Sequence, residues 1–375
     1  MRLPPIVKAH DYIYLDYNAT APMHPHVLQS MHDVAAFVGN PSALHQLGQQ
    51  LKSIISSARN TIQEFIVGQH HHLFFTSGAT ESNAWILHSQ PWDHIVFSAA
   101  EHPSILRNAS KYTYCPITPE GILDLSALEQ ILHKNRYGSI LLSIQIANSE
   151  SGIQHPIRDI ADIAKKYHAF LHTDATQAFG RIPLDFDALQ VDAMTIAPHK
   201  AGGPKGIGAL AIHHSHQLPP YIKGGGQEYG LRAGTENIQG IIGFATTCSI
   251  VPWDHMQKLR RWHTNLESAL QILCPSAVLP FAQAPRLPNT SLIHMPHATT
   301  TQQTIHFDLK KIAVGAGSAC SSGTLRGIHF LEALNYNQEI AQSTIRISSG
   351  WNSQEDDFLA FQSEWQNLYQ IRNGS

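Results

Sequence analysis

Three stretches of this sequence carry side chains suited to chemistry, and each follows a short apolar run. In LFFTSGATESNAWIL, the run that starts at Leu73 passes through a small-residue turn into a helical pattern. Thr76 or Ser77 is placed to cap that helix, and Gly78 lets backbone approach a ligand closely. Such a turn offers free N–H groups and the positive end of a helix dipole, which together hold a phosphate. The motif is neither G-x-G-x-x-G nor a P-loop, so no nucleotide follows from it. His172-Thr173-Asp174 closes the run AFLHTD, and a carboxylate at a strand end serves either as a helix cap or as the partner of a ligand cation. Thr176 and Gln177 add a hydroxyl and an amide close by. After DAMTIA, Pro198-His199-Lys200 leads into the glycine-rich AGGPKG turn. A lysine desolvated beyond a buried strand loses basicity and becomes a Schiff-base nucleophile, whereas a solvated loop lysine is the plainer alternative.

Phosphate cup, carboxylate and lysine occur in that order, each after a strand. Together they are the parts of a pyridoxal 5′-phosphate site: an anion anchor, an acid for the pyridine nitrogen and an amine for the aldehyde. The elements that must position them follow from periodicity. Short β-rich runs (HIVFSA, SILLSIQIA, AFLHTD, DAMTIA and GALAIH) alternate with amphipathic stretches such as SALEQILHKNR and IRDIADIAKKYHAF. That rhythm predicts an α/β fold with a mostly parallel sheet and helices on both faces, ligands sitting beyond the carboxyl ends of the strands. Beyond about Gly243 the texture changes to a long helix (MQKLRRWHTNLESALQIL), proline-punctuated strands around PRLPNTSLIHMP, and a last helix through EDDFLAFQSEWQNLYQI. The expectation is a large domain over residues 14–250 and a smaller α+β domain from residues 1–13 and 251–375.

Composition narrows the function classes. With 43% hydrophobic and 14% charged residues in 375, the chain can bury a full core. Its 25 Lys plus Arg against 28 Asp plus Glu leave no basic surplus for a phosphate backbone, so nucleic acid is not an expected partner. Cys115, Cys248, Cys274 and Cys320 lie far apart without a C-x-x-C, which suits a reducing compartment and predicts a cytoplasmic protein. The start MRLPPIVKAHDYIYLDYN lacks an unbroken apolar core of a secretory signal, and GIIGFATTCSIVPW is too short to span a bilayer, so no membrane association is expected.

The motifs LDYNATAP, NPSALHQLG, TSGATES, EHPS, HTDATQAFG, HKAGGPKGIGAL, GGGQEYGLRAGTEN, GSACSS and STIRISSG run in order from Leu15 to Gly350. In them the chain resembles the cysteine desulfurases of the class V, fold-type I pyridoxal-phosphate family. The resemblance implies that Lys200 forms the internal aldimine, that Asp174 keeps the pyridine nitrogen protonated, and that Gln177 donates to the ring's phenolic oxygen. It implies that His102 stacks on the ring and moves protons, and that Ala79, Thr80 and His199 bind the phosphate. Thr235 would reach the phosphate of a second subunit, which implies a homodimer. Asn148 would contact ring oxygen and substrate carboxylate, and Arg346 would grip that carboxylate with a bidentate fork; a structural salt bridge is the alternative for Arg346.

Cys320 lies in GAGSACSSGTLRG, a small-residue segment that reads as a loop, whereas Cys115, Cys248 and Cys274 read as packing residues. Cys320 matches the family's nucleophile, which takes sulfur from L-cysteine as a persulfide, releases L-alanine and passes the sulfur to a protein acceptor such as an iron–sulfur scaffold or a sulfur relay. Two other readings share these motifs: a selenocysteine lyase or cysteine-sulfinate desulfinase, and a catalytically weak adaptor for sulfur-assembly partners. The adaptor reading draws on departures from the family pattern: Ala197-Pro198 before His199-Lys200, Ser149-Glu150-Ser151 after Asn148, Gln227, and Trp351. Histidines cluster at His70 to His72 and at His213, His214 and His216, but neighbouring strand residues face opposite ways and no ligand spacing recurs, so no metal is expected.

Overall fold

The computed structural model describes residues 11–68, 70–109, 111–317 and 328–373. Eleven strands run through it: β1 (Ile13–Leu15), β2 (His71–Thr76), β3 (His94–Ser98), β4 (Thr113–Cys115), β5 (Ile140–Ser143), β6 (Phe170–Asp174), β7 (Ala193–Ile196), β8 (Gly208–His213), β9 (Thr290–His294), β10 (Ile312–Val314) and β11 (Thr344–Ser348). Seven of them form one sheet in the order β2-β8-β7-β6-β5-β3-β4. Every pairing from β7 through to β4 is parallel, and β8 alone runs against its neighbours β2 and β7.

Strand side chains alternate between faces, and both faces here are apolar, as a covered sheet requires. Leu73 and Phe75, Val96, Leu142, Met194 and Ala211 pack with Ile55, Ile62, Ile160 and Phe244 from the helices Gln46–Phe65, Ile157–Lys166 and Ile238–Ser249. Phe74, Phe97, Leu141, Ala193 and Leu210, one residue out of phase, pack instead against Trp85 and Ile86 of the helix Ala79–Leu87. Helices therefore cover both sides, as the alternating pattern predicts. The SILLSIQIA run is shorter as a strand than its apolar length suggests, because β5 ends at Ser143; even so, the Ile144 and Ile146 N–H groups still bond to the His172 and Asp174 carbonyls.

A second core gathers Leu266, Phe307, Ile312, Ile345, Phe361 and Trp365 between the helices Trp253–Leu273 and Glu355–Asn373 and two small sheets. One sheet pairs β9 with β11 antiparallel, and the other pairs β1 with β10 in parallel. Leu15 of β1 is fully buried in this second core. The boundary expected at residue 14 thus falls inside a strand, and Ile13–Leu15 goes with the smaller unit: a three-residue strand is too short to announce its distant partner at Ile312–Val314. Trp365, Phe361 and Phe307, fully buried, each contribute roughly 1.5–3 kcal/mol of hydrophobic stabilisation. Among the described residues no helix is long and apolar enough to cross a membrane.

Candidate active site

Four strand ends open onto one cavity of about 520 Å³. Thr76 ends β2 and leads to Ser77, Gly78, Ala79 and Thr80; Ser98 ends β3 ahead of His102; Asp174 ends β6; and Ile196 ends β7 ahead of His199 and Lys200. Ala79, Thr80, His102, Asp174, Gln177, His199 and Lys200 all line it, so seven of the residues singled out in the sequence converge. Thr20, Ser77, Gln145, Thr176 and Lys205 line it as well.

The anion end is built differently from the expectation that Thr76 or Ser77 caps the helix. The N-cap is Gly78, and no side chain caps it. Thr76 turns its hydroxyl to Ser82 at 2.8 Å, and the Ser77 N–H donates to the Glu81 carboxylate at 2.7 Å. Among the described residues no acceptor meets the Ala79 or Thr80 N–H. A capping side chain would occupy the place an anion needs, so its absence leaves the helix N-terminus open. Gly208 is part of this design: a Cβ there would stand 2.7 Å from the Gly78 carbonyl carbon, inside contact distance. Arg232 neutralises Glu81 from the side at 2.8 Å.

Asp174 sits deep in the cavity at 7% exposure. Burial alone would raise its pKa, but hydrogen bonds from Thr176 and Asn83 outweigh it and hold the carboxyl below the ordinary aspartate value. Asn83 donates one amide hydrogen to Asp174 Oδ2 at 2.8 Å and the other to Ser104 Oγ at 2.9 Å. Ser104 in turn meets His102 Nδ1 through its hydroxyl at 2.8 Å and its N–H at 3.1 Å, because His102 caps the short helix Pro103–Leu106. A backbone N–H only donates, so His102 Nδ1 is an acceptor and the ring's proton resides on Nε2. Burial and the Lys200 charge push the His102 pKa down, which keeps the ring neutral.

Burial, and after it the Arg181 charge, pushes the Lys200 amine down to about 7. Near neutral pH a large share of this amine is unprotonated and nucleophilic. Glu101, next to His102 in sequence, is pushed up to about 8 by burial and accepts from the Gln145 N–H at 3.0 Å, so it stands as a neutral acid at pH 7.

Other expected residues fall elsewhere. Asn148 does not line the cavity: its amide oxygen accepts from the Glu150 and Ser151 N–H groups and the Ser151 hydroxyl, and its amide donates to the Ala100 carbonyl. The turn after β5 needs that acceptor, and the neighbours Ala147 and Ser149 face the cavity instead. Arg346 in β11 is buried and pairs with Asp16 through Nη2 and with the Ser149 carbonyl through Nη1 at 2.9 Å, while its Nε has no partner. The salt bridge considered for it exists, but with 8% exposure of the arginine it is not a surface pair. Gly315 makes this possible, since a Cβ there would lie 2.7 Å from both Arg346 Nε and Asp16 Oδ1. Thr235 is exposed and does not line its own chain's cavity. Ala197 is buried and does not line it either. Cys320 lies outside the described residues. Cys115, Cys248 and Cys274 are free and buried; burial pushes the Cys115 thiol up to about 12 and raises that of Cys248. Among the described residues no group of three or more His, Cys, Asp or Glu side chains is arranged to hold a metal ion.

Asn83, Asp16 and Arg181 were not singled out as site residues in the sequence. Asp16 lies in LDYNATAP and Arg181 directly follows HTDATQAFG, but nothing in either motif marks which residue each one meets.

The family model described as Aminotransferase class-V matches residues 13–361. Cysteine desulfurase IscS of Dictyoglomus turgidum is 35% identical over 362 residues, covering 92% of this chain and 91% of that protein. Cysteine desulfurase IscS 1 of Archaeoglobus fulgidus is 34% identical over 363 residues, covering 92% of this chain and 93% of its own. Among solved structures, a NifS-like protein from Rickettsia africae superposes with a TM-score of 0.88 at 33% identity, covering 96% of this chain and 99% of that one. A structure described as SspA in complex with cysteine superposes with a TM-score of 0.77 at 26% identity, covering 89% and 98%.

Proposed function

The chain belongs to the aminotransferase class-V family and to the cysteine desulfurases within it, and from that membership we propose how its cavity divides the work on L-cysteine. The observation that carries the reading is the convergence of an uncapped helix N-terminus, a buried ionised aspartate and a low-pKa lysine on one cavity.

These groups fit pyridoxal 5′-phosphate. The unpartnered Ala79 and Thr80 N–H groups, with the cavity-lining His199, suit its phosphate; Asp174 suits its pyridine nitrogen; and Gln177 suits its phenolic oxygen. When bound, this cofactor supplies an aldehyde for Lys200 and a ring that spreads the charge left by the substrate's α-proton. Lys200 Nζ, in large part unprotonated near pH 7, would hold the cofactor's aldehyde and, when free, would stand as the base for the substrate's α-proton. His102 faces the cavity as an Nε2–H hydrogen-bond donor; while neutral, with Nδ1 engaged by Ser104, it orients a group by that hydrogen bond. By the family resemblance Arg346 serves the substrate carboxylate; it does not line the cavity here, so its pairing with Asp16 would give way when substrate binds. Cys320 takes the sulfur: the substrate's C–S bond breaks, a persulfide remains on the protein, and the carbon skeleton leaves as L-alanine.

The reading extends to a homodimer in which Thr235 completes the partner's phosphate site; its exposure on one chain, with Leu44 at 94% and Val38 at 77% exposed, supports a second copy. It extends to a protein acceptor for the persulfide sulfur and to work in the cytoplasm, where three free thiols are stable. The test is alanine release from L-cysteine by the wild type beside Cys320→Ser and Lys200→Ala. Both variants are expected to lose turnover, and only Lys200→Ala to lose the visible absorbance of bound cofactor. A Cys320→Ser protein that still forms persulfide would overturn the assignment of the sulfur carrier.

A further inference from the structure

Arg181 lies beneath the lysine turn with 4% of its surface exposed. Its Nη1 donates to the Gln177 backbone carbonyl at 3.2 Å and closely to Gln177 Oε1. Its Nη2 donates to the Tyr17 carbonyl at 3.2 Å and the Lys200 carbonyl at 3.3 Å. All four acceptors are neutral, and among the described residues no carboxylate comes within ion-pair distance of this guanidinium. A buried cation without a counter-ion is costly, and proteins retain such groups where the charge or the geometry is used.

The geometry has a definite consequence for Gln177. A guanidinium only donates and a backbone carbonyl only accepts. With Arg181 on one end of the amide and the Asn18 carbonyl 3.1 Å from the other, Oε1 must face Arg181 and Nε2 must face Asn18. That leaves one Nε2 hydrogen unused on a side chain that lines the cavity. Resting on the cofactor-site reading above, we propose that Arg181 is a positioning residue of the pocket: it locks the Gln177 amide with its N–H toward the cavity, and it places an unneutralised positive charge under Lys200.

The charges around the lysine support this. Arg181 and Arg346 push its amine down while Asp174 and Asp16 pull it up, and Arg181 comes next after burial itself. His102 and His199, the neighbouring titratable rings, are themselves held low and add no charge at neutral pH.

The test uses the full chain as wild type, Arg181→Met and Arg181→Lys, each with and without cofactor. In cofactor-stripped protein, the rate of Lys200 acetylation by acetic anhydride is followed against pH by peptide mass spectrometry. The wild-type midpoint is expected near 7. Arg181→Met should raise it by about one pH unit, roughly a fivefold loss of reactivity at pH 7, and Arg181→Lys should leave it within about 0.3 of wild type. In pyridoxal 5′-phosphate titrations, both variants should bind about tenfold more weakly, since neither methionine nor lysine presents the fork that orients the amide. A structural role alone would lower thermal midpoints without moving the acetylation midpoint. An Arg181→Met midpoint equal to wild type overturns the charge role, and wild-type cofactor affinity in Arg181→Lys overturns the positioning role. Should Arg181→Met fail to fold, Arg181→Gln, neutral but hydrogen-bonding, carries the same expected shift. A wild-type chain that takes up no cofactor would instead overturn the reading of the cavity, and the acetylation arm would still decide the charge role.

Discussion

Replacing Asn83 by leucine isolates one contact on which the site's charge depends. Asn83 is fully buried, and its side chain gives one hydrogen to Asp174 Oδ2 and one to Ser104 Oγ. Its own Oδ1 has no partner, so losing that oxygen to an apolar side chain of similar size costs nothing. What Asn83→Leu removes is a hydrogen bond to a buried charged acceptor, about 1.5–3 kcal/mol, and a neutral one to Ser104, about 0.5–1.5 kcal/mol. With 375 residues and an unfolding entropy of roughly 2 cal/mol/K per residue, that corresponds to a melting midpoint lowered by about 3–6 °C at pH 7. The pH dependence tests the cause. Asp174 has a depressed pKa in the folded protein, so its stabilising contribution is present above its unfolded value and lost as pH falls through the folded value. Leucine removes one of the lowering influences and lets burial raise the folded value, so Asp174 protonates earlier in the variant as pH falls. The gap between variant and wild type should therefore be full at pH 7 and narrow as pH falls through the variant's raised value toward the depressed wild-type one. Scanning calorimetry of cofactor-free protein across that range measures it. A gap of constant size at every pH would mean that packing, not the Asp174 charge, is what Asn83 serves.

Three further outcomes follow from the site. Cofactor capture by stripped protein should speed up as pH rises through about 7, because deprotonation of Lys200 supplies the nucleophile; stopped-flow absorbance measures it, and a rate flat from pH 6 to 8 contradicts the low lysine pKa. Gly315→Ala should raise KM for L-cysteine about 10–100-fold with the cofactor spectrum unchanged, since its Cβ would fall 2.7 Å from Arg346 Nε and displace the arginine; steady-state kinetics with an unaltered KM would refute it. Phe361→Ala, opening a cavity in the smaller core beside Trp365 and Phe307, should destabilise the protein by about 3–5 kcal/mol, read by chemical denaturation, while leaving the Lys200 acetylation midpoint in place.

How much of this was legible beforehand depends on the distance along the chain over which each feature is decided. The covered parallel sheet and the positions of Asp174, Gln177, His102 and Lys200 at or beyond strand ends are local properties: apolar runs a few residues long, each closed by a polar or glycine-rich turn. The order of the strands is not local. Neither is the membership of Ile13–Leu15 in the smaller unit, whose partner strand begins at Ile312. At Asn148 the residue type was right for binding, and the turn after β5 claimed its oxygen first. At Thr76 and Ser77 the types suited a cap, yet the turn left the helix end free.

From its residues alone the chain determined which groups could react and that they would follow strands, because alternating apolar faces and turn residues act over a few positions. Only the packed molecule decided how those groups are tuned. Asn83 meets Asp174 across 91 positions and Arg346 meets Asp16 across 330, and Arg181 reaches back to Tyr17 across 164. Partners so far apart in sequence leave no periodic trace. They exist because packing brings distant segments of the chain together, and the burial that packing brings is what shifts Lys200 down, Glu101 up, and makes an uncompensated guanidinium matter.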